Sequence, residues 1–427
     1  MKIAFYTLGC KVNQYESNWL SEEMQKNGYI AVSPSQKADV YVINSCTVTS
    51  ESDRKTRQCV RRFKRTHPES IVVLTGCMPQ AFPEDAEKLT DADIVIGNKN
   101  NALLPSLIER YIAGSGRIVM IEPHESGEKF AGCSIAGFEG RTRAIVKIED
   151  GCDRFCSYCI IPYSRGRVRS KPPEELKSEF EQLVGNGFRE AVLVGINLSA
   201  YGKGEDYNIC DAVRLAADAG FKRVRLGSLE PDHITNQVIK ELSEIPQFCP
   251  QFHISLQSGC DKTLKKMNRH YTSEEYKALC DALRSTFPDT TITTDIMVGF
   301  PDESDEDFET SVSFAEEIGF EKVHVFPYSP REGTPAAKME QIDKATKEKR
   351  SHEMIRRTGE IRQKFLNAQI GRTLSVLFET RHIDGFTEGY TPNYTPVKVA
   401  GECECGEIKE VLITGVDGDF CIGKTAE

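Results

Sequence analysis

The chain has 427 residues, of which 39% are hydrophobic and 28% charged, with 32 Gly and 19 Pro and a formal net charge of -10. This is the balance of a globular chain with room for two or three domains. It excludes a peptide hormone, a lone binding module, a collagen-like chain and a disordered one. An overall acidic balance also argues against a uniform basic coat for non-specific nucleic-acid binding, although local patches survive the average.

From residue 1 to about 121, short β-rich runs alternate with helical stretches. KIAFYTLG is followed by YESNWLSEEMQKNG, DVYVINS by ESDRKTRQCVRRFKR, and then come SIVVLTG and DIVIG, a pattern that predicts a parallel sheet with crossover connections. No run approaches the roughly 18 apolar residues that a membrane crossing needs. The opening MKIAFYTLGCKVNQ has a short apolar run broken by Lys11, Asn13 and Gln14 and no small-residue cleavage site, so a cytoplasmic protein with no membrane partner is expected. Residues 122–141 are rich in Gly, Glu and Ser, have no period and read as a linker.

From 142 to 370 the alternation lengthens, with strand candidates at RAIVKIE, AVLVGIN, RVRLGS, QFHISLQS, TITTDIMVG and KVHVFPYS. Six such βα units fall short of the eight of a closed barrel, which leaves an open partial barrel or a doubly wound sheet, with ligands at the carboxyl ends of the strands. A basic helix over about 343–369 ends near Gly371. Residues 371–427 then switch to short strands with turn signals at HIDG, TPN, GECECG and VDGD, the pattern of a small all-β module of OB-like size. The fold class is therefore α/β with a small C-terminal β module.

Fifteen cysteines in a reducing compartment argue for metal ligation among some of them rather than for a disulfide framework. Cys152, Cys156 and Cys159 lie on one loop, GCDRFCSYC, directly after the strand RAIVKIE. A charged loop preceded by glycine is not where cysteines go merely to pack, and thiolate is the usual protein ligand of iron-sulfur centres. A structural zinc site or an electron-carrier cluster takes four protein ligands, so three leave one iron open. Cys10, Cys46 and Cys77 are far apart in sequence, but each follows a predicted strand, and the carboxyl ends of parallel strands share one edge. Cysteines packed at strand ends as small hydrophobes fit that placement too, and spacing alone leaves both readings open.

The loop GCDRFCSYC, with Tyr158 before its last cysteine, resembles the radical S-adenosylmethionine superfamily. LGCKVNQYES, INSCTVTSESDRKTR and LTGCMPQ are similar to the amino-terminal domain of that superfamily's methylthiotransferases. GCDRFCSYCIIPYSRGRVRS, ISLQSG, KMNRHYT and DIMVGFPDES resemble their central domain, and residues 371–427 resemble their TRAM module. The resemblance implies a methylthiotransferase domain at 1–121, a radical S-adenosylmethionine domain at 142–370 built as a partial (β/α)6 barrel, and two 4Fe-4S clusters. One cluster would sit on Cys152, Cys156 and Cys159, its open iron chelating S-adenosylmethionine. The auxiliary cluster would sit on Cys10, Cys46 and Cys77. Cys59, Cys133, Cys210, Cys249, Cys260, Cys280, Cys403, Cys405 and Cys421 match no ligand position.

Replacing an unactivated aromatic C–H by C–S–CH3 is beyond any side-chain acid, base or nucleophile, so the cofactors carry the chemistry. The resemblance implies reductive cleavage of S-adenosylmethionine at the first cluster, hydrogen abstraction from C2 of an adenine, and sulfur supplied by the auxiliary cluster. CKVNQYES and the central motif look most like the branch acting on threonylcarbamoyl-adenosine at tRNA position 37. The family also acts on isopentenyl-adenosine at that position and on an aspartate of a ribosomal protein. A two-cluster electron carrier with an RNA-binding tail is the alternative from another class. Expected cofactor contacts are Tyr158 on the adenine, Gly195 beside the methionine moiety, Glu230 and Gln257 on ribose or amine, and Arg269 on the carboxylate.

Three basic stretches bear on RNA: 53–65 with seven Lys or Arg, 161–171 with four and 344–372 with nine. The first two follow Cys46 and Cys159 closely, so Arg61, Arg62, Lys64, Arg165, Arg167 and Arg169 are expected to meet phosphates of a tRNA anticodon stem-loop. Residues 371–427 hold ten acids and five basic residues, a weak phosphate binder. The reaction would also need an electron donor such as flavodoxin or ferredoxin, and a sulfur donor.

Overall fold

The structure is a computed structural model that describes residues 1–138, 141–383 and 385–426. Residues 139 and 140 of the expected linker, Asp384 of the expected HIDG turn, and Glu427 lie outside the described residues. The amino-terminal unit holds the four expected strands at Lys2–Thr7, Val40–Ser45, Ile71–Gly76 and Ile94–Ile96. Two more, Ile30–Val32 and Ile118–Met120, pair in parallel at the two edges and bring the sheet to six strands. Each has only three residues, too few to show a period. The central strands VYVINS and IVVLTG are buried at every position, as runs covered on both faces must be. Helices Lys11–Lys26 and Ser50–Thr66 supply two of the crossovers. The second begins where the Thr49 side chain accepts from the Ser52 amide, with Glu51 and Asp53 in its first turn.

In the central unit the six expected strands form at Arg143–Lys147, Glu190–Val194, Arg223–Leu226 continuing as Ser228–Leu229, Gln251–Ile254, Thr291–Val298 and Lys322–Pro327. All pair in parallel and in sequence order. A doubly wound sheet must reverse its strand order at a switch point, and this one never does, so it is the open partial barrel. Asn208, Thr272 and Ser304 open three of its helices with capping boxes.

Described residues between 122 and 138 form no helix or strand, as their composition predicts, but they are a packed strap rather than a loose tether. Cys133, Ile135 and Phe138 are buried in the central core, and the Ala136 amide donates to Glu22 at 2.9 Å. After the helix Lys344–Asn367, five strands close a barrel in the order 373–383, 386–390, 396–400, 420–425, 408–417. Among the described residues no helix is long and apolar enough to cross a membrane.

The small barrel is fastened to the central unit by arginines. Arg225, 2% exposed, pairs with Glu190 at 3.0 Å and donates to the carbonyls of Pro392 at 2.9 Å and Thr391 at 3.3 Å. Replacing Arg225 by Met strands a buried carboxylate, at a cost of about 3 kcal/mol. Urea denaturation should show the loss, and limited proteolysis should cut faster between the helix and the barrel. Adding Glu190→Gln should recover much of the stability, and an unchanged midpoint in the single variant would show that the clamp contributes nothing.

Candidate functional site

The loop after Arg143–Lys147 is shaped by its glycine. Gly151 has φ +88°, and a Cβ there would lie 1.9 Å from the Arg167 carbonyl oxygen, so no other residue fits. The Cys152 amide donates to the Gly166 carbonyl at 3.0 Å and the Cys159 amide to that of Cys156 at 2.9 Å. Ser157 ties the loop to the segment at 266–267, its amide to Met267 at 3.0 Å and its hydroxyl to Lys266 at 2.7 Å. Burial raises the Cys152 thiol and pushes Cys159 up to about 12, and the nearby thiols add to both shifts. The three sulfurs are therefore electrostatic neighbours. Such thiols give up their protons when a metal takes the thiolates.

Cys10, Cys46 and Cys77 are likewise brought together. They follow three adjacent parallel strands of the amino-terminal sheet. A Cβ on Gly9 would stand 2.8 Å from that of Cys46. Burial raises Cys46, with Cys10 adding to the shift. Burial likewise pushes Cys77 up to about 12 against the guanidinium of Arg165, with Cys46 and Cys10 adding. Among the described residues no group of three or more His, Cys, Asp or Glu is placed to hold a single metal ion. A cubane carries its thiolates on the outside of a multi-iron body, and two all-thiol triads suit that soft-ligand chemistry. Of the other nine cysteines, seven are buried, Cys403 is half-buried and Cys405 exposed.

The segments that carry the two triads adjoin where the short helix Cys77–Ala81 packs on the short helix Ile161–Arg165. Arg165 is the joint. It is 1% exposed, donates from Nε to Cys77 Sγ at 3.3 Å, and forks onto both carboxylate oxygens of Glu16, one contact at 2.9 Å. Burial works against the charge on Glu16, but Arg165 and Lys147 outweigh it and hold the carboxyl below its usual range. Arg165 is therefore no phosphate contact, a correction to the expected RNA set. Arg169, buried beside Asp150 at 3.4 Å, is a second. Both side chains turn inward to buried carboxylates, which a count of basic residues cannot reveal. Neither Glu16 nor Arg165 carried a sequence signal for this pairing, which joins residues 149 apart.

The expected cofactor contacts gather near the central loop. Arg269 donates to Cys156 Sγ at 3.4 Å and forks onto Glu230, one contact at 3.3 Å. Gln257, three residues past the strand Gln251–Ile254, has φ +67°, and Phe155 and Asn268 are also left-handed. Tyr158 packs beside Met267, Phe300 and Tyr328. Gly195 makes room for Glu149, whose carboxylate would sit 2.5 Å from a Cβ there and accepts from the amides of Ile196 and Asn197. The other oxygen of Glu149 is buried without a partner three residues before Cys152.

Among the basic residues, Arg61 and Arg62 are exposed on the helix Ser50–Thr66, Arg62 lying over the rings of Phe63 at 4.7 Å and Tyr6 at 5.3 Å. Lys64 is held by Asp93 at 2.9 Å, and exposed Arg167 lies 3.5 Å from Asp153. Most of the basic residues at 344–372 are spent on ion pairs, such as Arg350 with Glu303 and Arg357 with Glu309. A cavity of about 640 Å³ opens inside the partial barrel, lined by Lys11 and Arg225, by His253 and Asp295 on the strands, and by Tyr390 and Tyr394 of the small barrel. Sequence reasoning passed over Lys11, although it directly follows Cys10. Partial desolvation in the cavity wall and the guanidinium groups of Arg143 and Arg225 bring its ammonium down to about 8.

Residues 2–97 match a family described as "Uncharacterized protein family UPF0004", and residues 146–315 match the radical SAM superfamily. The chain is 36% identical over 426 residues to the threonylcarbamoyladenosine tRNA methylthiotransferase MtaB of Bacillus subtilis, covering 96% of this chain and 93% of the relative. It is 36% identical over 387 residues to the tRNA-2-methylthio-N(6)-dimethylallyladenosine synthase of Clostridium novyi, covering 87% of this chain and 84% of the relative. The fold is similar to that of the radical S-adenosylmethionine methyltransferase TsrM from Kitasatospora setae, with a TM-score of 0.56 at 13% identity, over 79% of this chain and 77% of that one.

Changing Arg165 to Met should destabilise the protein by about 3–5 kcal/mol, because Glu16 is left buried and unpaired. Chemical denaturation of Arg165→Met beside the Arg165→Met, Glu16→Gln pair gives the measurement. The pair should be the more stable of the two, and equal stability would mean that the guanidinium does not neutralise Glu16.

Proposed function

The chain belongs to the radical S-adenosylmethionine methylthiotransferase family, and we propose that it adds a methylthio group to C2 of N6-threonylcarbamoyladenosine at position 37 of tRNA. The observation that carries this reading is that the helix starting at Cys77 packs on the helix that begins two residues after Cys159, an arrangement that suits a reaction needing both a radical source and a sulfur source. Near full-length similarity to proteins named threonylcarbamoyladenosine tRNA methylthiotransferase supports the choice of base. When bound, the two 4Fe-4S clusters and S-adenosylmethionine supply the electron, the hydrogen-abstracting radical, the sulfur and the methyl group.

The chain's own residues bind, orient and exclude water. Cys152, Cys156 and Cys159 would hold one cluster and Cys10, Cys46 and Cys77 the other. Glu230 and Arg269, paired beside Cys156, offer opposite charges to the amine and carboxylate of the methionine moiety. Tyr158, Gly195 and Gln257 complete that wall at the strand ends. Cys46, Cys77 and Cys156 are buried, and that part of the site keeps water and oxygen from the reacting centre. Arg61 and Arg62, exposed on a helix that starts four residues after Cys46, are placed to meet RNA phosphates. The reaction consumes electrons and sulfur, so a reductant such as flavodoxin or ferredoxin and a sulfur donor are its partners.

Anaerobically reconstituted protein should bind about eight irons, four per cluster. Replacing Cys152, Cys156 and Cys159 by Ala should remove half of them and abolish 5'-deoxyadenosine formation. Cys10, Cys46 and Cys77 changed together to Ala should retain some 5'-deoxyadenosine while eliminating the methylthio nucleoside in tRNA digests. Wild-type methylthiolation in that second variant would reduce the amino-terminal cysteines to core packing.

Arg61→Ala with Arg62→Ala should weaken tRNA binding and lower its salt slope by up to about two units, roughly one per phosphate contact. An unchanged slope would mark the helix as a solvated face.

A further inference from the structure

We propose that Lys11 selects the substrate by binding the carboxylate of its threonylcarbamoyl group, an inference that rests on the functional reading above. The cavity of about 640 Å³ is large enough for a modified nucleobase, and its wall brings together the amino-terminal unit through Lys11, the central strands, and the small barrel. Two of its three acids are paired, Asp419 with Arg362 at 2.8 Å and Glu321 with Arg284 at 3.6 Å, and the third, Asp295, lies 3.4 Å from the His253 ring. Arg225 is engaged as well, through Glu190 and the small barrel. Among the described residues, two lining lysines, Lys11 and Lys322, have no ion-pair or hydrogen-bond partner. Lys322 begins its strand and adjoins none of the six cysteines in sequence. Lys11 directly follows Cys10 and so stands beside the amino-terminal triad.

A free ammonium in a concave wall favours an anionic ligand and disfavours a neutral apolar one, because covering it without a counter-charge costs its hydration. The threonylcarbamoyl group carries a carboxylate, whereas an isopentenyl group carries only hydrocarbon. The outer urea N–H of the threonylcarbamoyl group can close a six-membered ring onto N1 of the adenine. That fold carries the carboxylate toward the C2 edge, the edge that must face the amino-terminal triad to receive sulfur. Lys11 and the reacting carbon are then on the same side of the base.

The test uses reconstituted enzyme and three anticodon stem-loops, bearing N6-threonylcarbamoyladenosine, its neutral methyl ester, or isopentenyladenosine. Affinity and methylthio product are measured for wild type, Lys11→Gln, Lys11→Met and Lys11→Arg, each with its iron content checked. Wild type should bind the acid about tenfold to a hundredfold more tightly than the ester, the range of one charge-assisted hydrogen bond. Lys11→Gln and Lys11→Met should bring that ratio to within about twofold, and Lys11→Arg should keep most of it. If wild type acts on the acid and Lys11→Gln and Lys11→Met discriminate as well as it does, the Lys11 assignment falls while the functional reading stands. If wild type acts on the isopentenyl RNA and ignores the acid, the functional reading falls and takes the assignment with it.

Discussion

A buried charge must find its opposite, and in this protein that requirement joins two cysteine sites carried by different units. Arg165 reaches from the central loop to Glu16 on the first helix and to Cys77 after the third strand of the parallel sheet's core. Lys147 bridges Glu16 at 2.8 Å and Asp150 at 2.6 Å, and Arg169 approaches Asp150 at 3.4 Å and Glu128 of the strap at 3.8 Å. Stripping water from so many charges is costly, and their mutual attraction repays it only when every member is in place. The network therefore works as a register mark: any displacement of the amino-terminal unit over the central loop would strand a carboxylate.

Local strain gathers around the same loop. Phe155, Gln257 and Asn268 have left-handed backbones, each at a cost of about 1–3 kcal/mol, and all three border the central cysteines or the strand ends that face them. Surrounding hydrogen bonds keep them there: Asn268 donates to the Phe155 carbonyl at 3.1 Å, and the Gln257 amide donates to Asp295 at 2.8 Å. The chain's own hydrogen bonds thus hold the loop in shape. That is the condition under which three thiols on one short segment can accept a rigid body without a large ordering cost.

Much of this was legible in the residues. Long β-branched runs announced the six strands of the partial barrel and the central strands of the first sheet, because burial on both faces leaves a continuous apolar signature. The cysteines after predicted strands do fall on one edge of the parallel sheet. What stayed hidden is either very short or long-range. Ile30–Val32 and Ile118–Met120 are too brief to carry a period, and the strap at 122–138 has a loop's composition because side chains elsewhere, Glu22 and Glu179 among them, satisfy its backbone. Arg165 and Arg169 looked like an RNA-facing pair because composition counts charges without saying where their partners are.

The acidic character of the C-terminal barrel takes on a different meaning once the interface is seen. Glu379 pairs with Arg143 at 2.6 Å, Arg223 donates to the Tyr390 carbonyl at 3.0 Å, and Arg225 holds the carbonyls of Thr391 and Pro392. Part of that negative charge and polarity meets arginines from the central unit instead of competing with RNA. The same contact presses the stacked rings of Tyr390 and Tyr394, 4.4 Å apart, against the guanidinium groups of Arg143 and Arg225. Tyrosines from the small barrel, strands from the partial barrel and Lys11 from the amino-terminal unit then share one cavity. Since no unit encloses that space alone, the docking of all three is what creates it, and the buried arginines that hold them together fix its shape as much as the residues that line the wall.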